Sequence, residues 1–334
     1  MTGAKPKITV ITTGGTIASR VDPGSGAAVP IVSGGELVAM LPGVERLASL
    51  SVHELCLISS WDFTPAFMLA IGQAVSTALE GGADGVVVTQ GTDTLEETAY
   101  WLDLVVDVGR WRKPVVVTGA MRHNSEVGAD GPRNLLDSIV VAAHGLDGCA
   151  APMVVANSQV FVGREVVKTD SFNLATFQSP DQGPIGVVHG ERVAYTYRGI
   201  LASRPLPVAT AEARVPLLKW AAGMDDLLLR ACADAAVDGV VLEGFGLGHV
   251  PGLVVPAVAL LRARGIPVVM TTRCPTGPVL PVYGGAGGGR DLAEMGVILA
   301  GHLSGPKARL LLIGALGSGV PAGGLLALYN PEGW

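Results

Sequence analysis

An α/β fold in two domains is what this sequence predicts: a larger N-terminal domain built on a parallel sheet and a smaller C-terminal α/β domain. Three observations predict it. Short β-branched runs recur, each followed by a turn and a helical stretch, which is the rhythm of βαβ units. The runs are apolar almost throughout rather than alternating, as strands buried on both faces of a parallel sheet are. At 334 residues the chain exceeds most single cores, and two domains of roughly 100 to 200 residues each accommodate it.

In chain order, the N-terminal runs are Ile8 to Thr13, Gly85 to Gln90, Pro114 to Gly119 and Met153 to Asn157. From Leu201 to Ala213 the sequence LASRPLPVATAEA follows neither the helical nor the strand period and carries Pro205 and Pro207, the composition of an interdomain linker. Residues 1–200 are therefore expected to form one domain, 201–213 the linker and 214–334 the second domain. In the latter, Val215 to Trp220, Gly239 to Leu242, Pro267 to Thr272 and Ala308 to Ile313 read as strands. Glycines gather just after strands, in TTGGT, TQGTD, VTGAM and LEGFG, where open parallel sheets bind ligands. Tight turns alone would also explain any one of them.

Composition narrows the functions. A net charge of −6 with scattered basic residues supplies no stripe to neutralise phosphates, so nucleic acid is not an expected partner. Gly, Pro, Asp or Arg interrupts every apolar run before a membrane span is reached. The N-terminus MTGAKPKITV shows no apolar leader, so the cytoplasm is the expected compartment. Cys56, Cys149, Cys232 and Cys274 lie far apart and read as buried thiols in a reducing compartment. The histidines form no metal-ligand pair, so neither metal nor cofactor is expected. Charged residues make up only 16% of the chain, little for a soluble monomer, which favours an oligomer.

Three segments carry residues suited to chemistry. In Thr12 to Ser19, TTGGTIAS, Gly14 and Gly15 allow a sharp turn after the first strand, and backbone N–H groups near Thr16 can face a developing oxyanion. The spacing is that of neither phosphate-binding loop, and a Gly-Gly turn with Thr16 as a helix cap is the plainer reading. In Thr89 to Glu97, TQGTDTLEE, Thr92 or Asp93 is expected to cap the following helix, with Glu96 or Glu97 closing a capping box. A carboxylate at a strand's carboxyl end can also receive an ammonium, and a hydroxyl there can hold water. Third, Lys168 in GREVVKTD could act as a general base if desolvated beside a hydroxyl, though most lysines are merely solvated.

Together, TGGTIAS (13–19), QGTDTLEETAY (90–100), VTGAMR (117–122), ADGPRNL (129–135) and GREVVKTD (163–170) resemble the successive signatures of the bacterial L-asparaginase family. The resemblance runs through nearly the whole chain. It implies hydrolysis of the side-chain amide of L-asparagine, with L-glutamine as the candidate second substrate, and no cofactor. Thr16 would be the nucleophile of an acyl-enzyme, with Thr92 and Lys168 as a second catalytic pair and Asp93 beside them. Asp93 would hold the substrate's α-ammonium, Ser60 its α-carboxylate, and Ala120 would line the amide. Gly15, Trp61 and Gly91 complete the implied binding set. The resemblance also implies a homotetramer of two intimate dimers, or a homodimer, with each site between one subunit's N-domain and its neighbour's C-domain.

Some positions depart from the family pattern. Members usually carry a tyrosine in the loop after the nucleophile, yet residues 20–30 read RVDPGSGAAVP and no tyrosine precedes Tyr100. Trp61 stands where exported members have a polar amide. Near His249 and Tyr283 those members carry an asparagine and a glutamate. Two other readings remain: the ammonia-generating subunit of a tRNA-dependent amidotransferase, which generally has an extra domain before the strand starting here at Ile8, and a silent amino-acid sensor. Retention of Thr16, Thr92, Asp93 and Lys168 together favours catalysis over sensing.

Overall fold

The computed structural model describes residues 4–145, 149–200, 204–321 and 324. The chain divides into two compact units, Met1–Pro205 and Leu206–Trp334.

Strands of the first unit are β1 (Lys7–Gly14), β2 (Ser19–Val21), β3 (Ala28–Pro30), β4 (Ser49–Ile58), β5 (Gly85–Thr89), β6 (Val115–Thr118), β7 (Met153–Ala156), β8 (Gln159–Val162), β9 (Val167–Lys168), β10 (Phe177–Gln178), β11 (Gly186–His189) and β12 (Arg192–Tyr195). Eight of them form one sheet in the order β12-β11-β8-β7-β6-β5-β1-β4. Neighbours from β4 across to β7 run parallel, and β8, β11 and β12 extend the sheet antiparallel.

The continuous apolarity of these strands resolves into two faces. Ile8, Val10, Val87, Val116, Met153 and Val155 enter one core layer, beneath the helices Gly34–Ala39 and Gly131–His144. Ile11, Val86, Val88, Val115, Val117 and Val154 enter the other, beneath Pro65–Glu80 and Leu95–Val105. Each side chain so buried stabilises the unit by about 1.5–3 kcal/mol. Both layers depend on the crossovers leaving the sheet at one end, which gathers the turns after β1, β5 and β6.

The run Met153 to Asn157 is not followed by a helix. The chain turns straight back through Asn157 (φ 50°) and Ser158 (φ 58°) into antiparallel β8. Positive φ at both central residues matches the twist of a two-residue hairpin. The sequence hides this turn, because it lacks the usual glycine; Ser158 is held instead by its hydroxyl on Asp137 at 2.8 Å.

In the second unit β13 (Leu217–Lys219), β14 (Val240–Gly244), β15 (Val268–Thr272) and β16 (Ile298–Leu299) make a parallel sheet in that order. Trp220, Leu229, Leu242, Leu261 and Met270 are among its buried core. Ala308 to Ile313, expected as a strand, lies instead inside the helix Gly305–Ser318. Short apolar runs have no distinguishing period when an element is buried all round, and Ala308, Leu310, Leu311, Leu312 and Ile313 are all buried. The start signal is Ser304 at the N-cap followed by proline in the first turn. Residues 204–216 carry neither helix nor strand, yet Leu206, Ala211 and Val215 are buried and Ala209 N–H donates to Gly317 O at 3.1 Å. The stretch from Leu206 therefore packs on its unit.

All four cysteines are free, but only Cys149 and Cys232 are buried; Cys56 is partly exposed and Cys274 exposed, correcting the expectation for those two. Burial pushes the Cys149 thiol up to about 11, so it is inert at neutral pH. Among the described residues no helix is long and apolar enough to cross a membrane.

Candidate active site

Strands β1 and β5 are parallel neighbours, with Thr12 opposite Thr89, so the turns that follow them emerge side by side. Gly14 (φ 98°) and Gly15 (φ 78°) bend the first turn into the short 3-10 helix Thr16–Ala18. The second turn passes through Gly91 into the 3-10 helix Thr92–Thr94. The two backbones touch: a Cβ on Gly15 would lie 2.1 Å from Gly91 N, and one on Gly91 would lie 2.5 Å from Ser60 Oγ. No other residue type fits at Gly15, which explains the paired glycines through packing as well as conformation.

Hydrogen bonds fix both turns. Gly15 N–H donates to Ile58 O at 3.0 Å, and the Ser19 hydroxyl donates back to Gly15 O at 2.9 Å. Asn124 Nδ2 donates to Ile17 O at 2.7 Å. On the other side the buried Ser60 Oγ accepts Asp93 N–H at 3.2 Å, while the Thr94 hydroxyl donates to Ser60 O at 2.9 Å. Thr16 is half-buried, and its hydroxyl makes no hydrogen bond among the described residues.

Lys168 reaches this place from far along the chain. Val166 and Phe177 are buried in the same core layer as Leu95 and Ala99, and the β9–β10 pairing of Lys168 with Phe177 fixes its strand. Lys168 Nζ then lies 2.9 Å from Thr92 Oγ1 and 2.7 Å from Asp93 Oδ1. Thr92 is 6% exposed, so its hydroxyl faces the ammonium out of bulk water. Lys168 N–H donates to the buried Glu96 carboxylate.

This overturns the expected cap. The helix Leu95–Val105 has Thr94 at its N-cap without a side-chain bond, and neither Thr92 nor Asp93 caps the 3-10 turn. Their side chains are taken by Lys168, and Glu96 holds the lysine's backbone instead of closing a box.

Models of known families match both halves of the chain. The one described as "Asparaginase, N-terminal" covers residues 7–200, and "Glutaminase/Asparaginase C-terminal domain" covers residues 214–322.

The chain belongs to the asparaginase family.

It is an amidohydrolase of that family. It is 40% identical to a protein named probable L-asparaginase from Deinococcus radiodurans, over 96% of this chain and 95% of that one. It is 35% identical to L-asparaginase 2 of Escherichia coli, over 92% of this chain and 88% of that one. The crystal structure of a probable cytoplasmic L-asparaginase from Campylobacter jejuni matches with a TM-score of 0.86 at 28% identity, covering 98% of this chain and 99% of that one. A glutamyl-tRNA(Gln) amidotransferase subunit from Methanobrevibacter smithii is 30% identical, over 98% of this chain and 76% of its own length.

Of the asparaginase-type residues expected from sequence, Gly15, Gly91, Ser60, Thr92, Asp93 and Lys168 make one contiguous set. Thr16 follows Gly15 directly. Ala120 is buried after β6, where the preceding Gly119 packs against Gln90 O, 2.6 Å from where its Cβ would be. Trp61 is different: it is 72% exposed. In the second unit His249 and Tyr283 stack edge to face at 5.2 Å. Sequence reasoning missed Glu96, Asn124 and Ser19 as supports. Their roles depend on residues distant in sequence, except Ser19, whose hydroxyl sits one turn after Gly15 and was visible.

Proposed function

We propose that this chain hydrolyses the side-chain amide of L-asparagine, giving L-aspartate and ammonia through an acyl-enzyme on Thr16. The observation that carries the reading is Lys168 Nζ bridging the buried Thr92 hydroxyl and Asp93, on a turn packed directly against the one bearing Thr16. The Thr16 oxygen attacks the amide carbon, the C–N bond breaks and ammonia leaves with a proton. Water then cleaves the ester, and Thr16 regains its hydroxyl. Thr92 and Lys168 form the relay that takes and returns a proton during these steps.

Substrate recognition in this reading uses the neighbouring groups. Asp93, with its side chain 48% exposed, receives the α-ammonium. Ser60 accepts Asp93 N–H through a lone pair, which leaves its O–H free to donate to the α-carboxylate. Ala120 lines the amide, with Gly15 and Gly91 allowing close backbone approach, and Trp61 flanks the entrance. L-Glutamine is a second substrate. The protein works as a homotetramer or homodimer in the cytoplasm, the compartment named for the Campylobacter jejuni relative.

The test is ammonia release from L-asparagine and L-glutamine by the purified chain and by Thr16→Ala. Turnover of asparagine, lost on removing the Thr16 hydroxyl by at least about 10³-fold, is expected. Turnover surviving in Thr16→Ala would remove the acyl-enzyme. Similarity to the amidotransferase protein favours a second reading, ammonia supply to a partner. Release from free asparagine without tRNA or partner separates the two.

A further inference from the structure

The helix Gly131–His144 carries a row of buried polar side chains that the proposed chemistry does not use. Asn134, 2% exposed, spends its whole carboxamide. Its Nδ2 donates to Gly119 O at 2.9 Å and to Asp130 Oδ2 at 3.0 Å, and its Oδ1 accepts Asn157 N–H at 2.9 Å. Asp130 in turn accepts Met121 N–H at 3.1 Å and Arg122 N–H at 2.9 Å. The peptide groups on both sides of Ala120 are therefore tied to one helix.

The same helix also meets the nucleophile's turn. A Cβ on Gly131 would lie 3.0 Å from Ile17 Cγ1 and 3.4 Å from Ala120 Cβ, so the first helical turn rests on the residue after Thr16 and on Ala120 at once. Ser60 and Asp93 hang on other elements, the turns after β4 and β5.

We propose that Asn134 is a positioning residue for the reaction: through Gly119 and Asp130 it holds Ala120 at a fixed distance from Thr16. This rests on the proposed asparaginase reading, in which Ala120 lines the amide. Asn134 touches no substrate. It fixes where the reacting amide sits, while Ser60 and Asp93 fix where the α-groups sit. Its carboxamide is specific to the task, because a carboxylate there would face both Asp130 and the Gly119 carbonyl, and every donor would be lost.

The experiment uses Asn134→Asp, with Asp130→Asn as a second variant and Asp137→Asn as the control. Asp137 lies on the same helix but accepts from Ser158 at the β7–β8 hairpin and from Arg133 one turn back on the helix. Turnover of L-asparagine, binding of L-aspartate, which lacks the amide, and melting temperature are measured on each full chain. Asn134→Asp is expected to lower kcat about 100-fold with aspartate affinity changed less than about threefold, since only the amide side moves. Asp130→Asn should shift kcat in the same direction, and Asp137→Asn should leave it within about twofold. Equal losses of kcat and aspartate binding would reduce Asn134 to a general structural role. Folded Asn134 and Asp130 variants with unchanged kcat would overturn the proposal outright. If Asn134→Asp does not fold, Asp130→Asn alone decides by the same two readouts. A wild type that releases no ammonia from asparagine would instead sink the asparaginase reading beneath it.

Discussion

Two turns leave adjacent strands, each bears a threonine, and they are held in opposite ways. Thr92 is buried, with its hydroxyl 2.9 Å from an ammonium that is itself paired to Asp93. Thr16 is half-buried, and its turn is held at its backbone groups, by Ile58 O, the Ser19 hydroxyl and Asn124 Nδ2, and not at the Thr16 hydroxyl. In the proposed reaction the difference divides the labour. A hydroxyl that attacks needs its lone pairs directed at substrate, so support comes through the backbone around it. A hydroxyl that relays a proton needs its partner in place beforehand, which lowers the reorganisation required during reaction.

The sharpest way to break this arrangement is at the point where the turns touch. Gly15→Ala would put a methyl 2.1 Å from Gly91 N at a backbone φ of 78°. Both turns must then separate, and a loss of about 3 kcal/mol or more is expected, with activity abolished. Gly26→Ala is the matched control: its φ of 69° is similar but nothing lies within 4 Å, so about 1 kcal/mol is expected from strain alone. Urea unfolding of the two variants measures this. Equal, small losses would mean that the Gly15–Gly91 contact does not set the geometry.

A smaller perturbation tests the Thr92 side alone. Lys168→Met keeps most of the stem and removes the ammonium, so kcat should fall by roughly 10² to 10⁴. Because the pair is partly exposed, stability should change by only about 0–1 kcal/mol. Retention of kcat within about tenfold would show that Thr92 works without Lys168 and that the two turns are more alike than their contacts suggest.

What could be read from the sequence follows the range of the forces involved. β1, β5 and β6 were legible because β-branched runs such as VVVT favour strand over helix, and their order placed Gly15 and Gly91 at strand ends. The helix over Ala308 to Ile313 was not, because burial on all sides erases its period. The cap expected at Thr92 fails for another reason: Lys168, 76 residues away, outcompetes the local backbone for the same side chains. Local rules cannot see a tertiary competitor. Likewise ADGPRNL was recognisable as a segment, but the bonds from Asp130 and Asn134 to the β6 exit exist only after folding.

The mildest probe is acid, and it acts on the Thr16 side. The β2–β3 hairpin that continues from the Thr16 turn is closed by Asp22 and tied to Glu36 through Arg20 at 3.3 Å. The Ser25 hydroxyl, then the backbone N–H groups of Ser25 and Gly24, hold the Asp22 carboxyl below its usual range. Backbone and hydroxyl of Ser33, with Arg20 adding less, do the same for Glu36. Both folded values lie below the unfolded ones, so their contribution is full above the ordinary carboxylate pKa and is lost as pH falls through the lowered values. Acidification should therefore loosen the hairpin before the sheet, and Asp22→Asn should weaken that dependence. NMR titration of the Gly24 and Gly26 amides, with Thr94 as the reference on the second turn, reads it directly. Hairpin amides that move no earlier than Thr94 would mean that these carboxylates are not what fastens the loop behind Thr16.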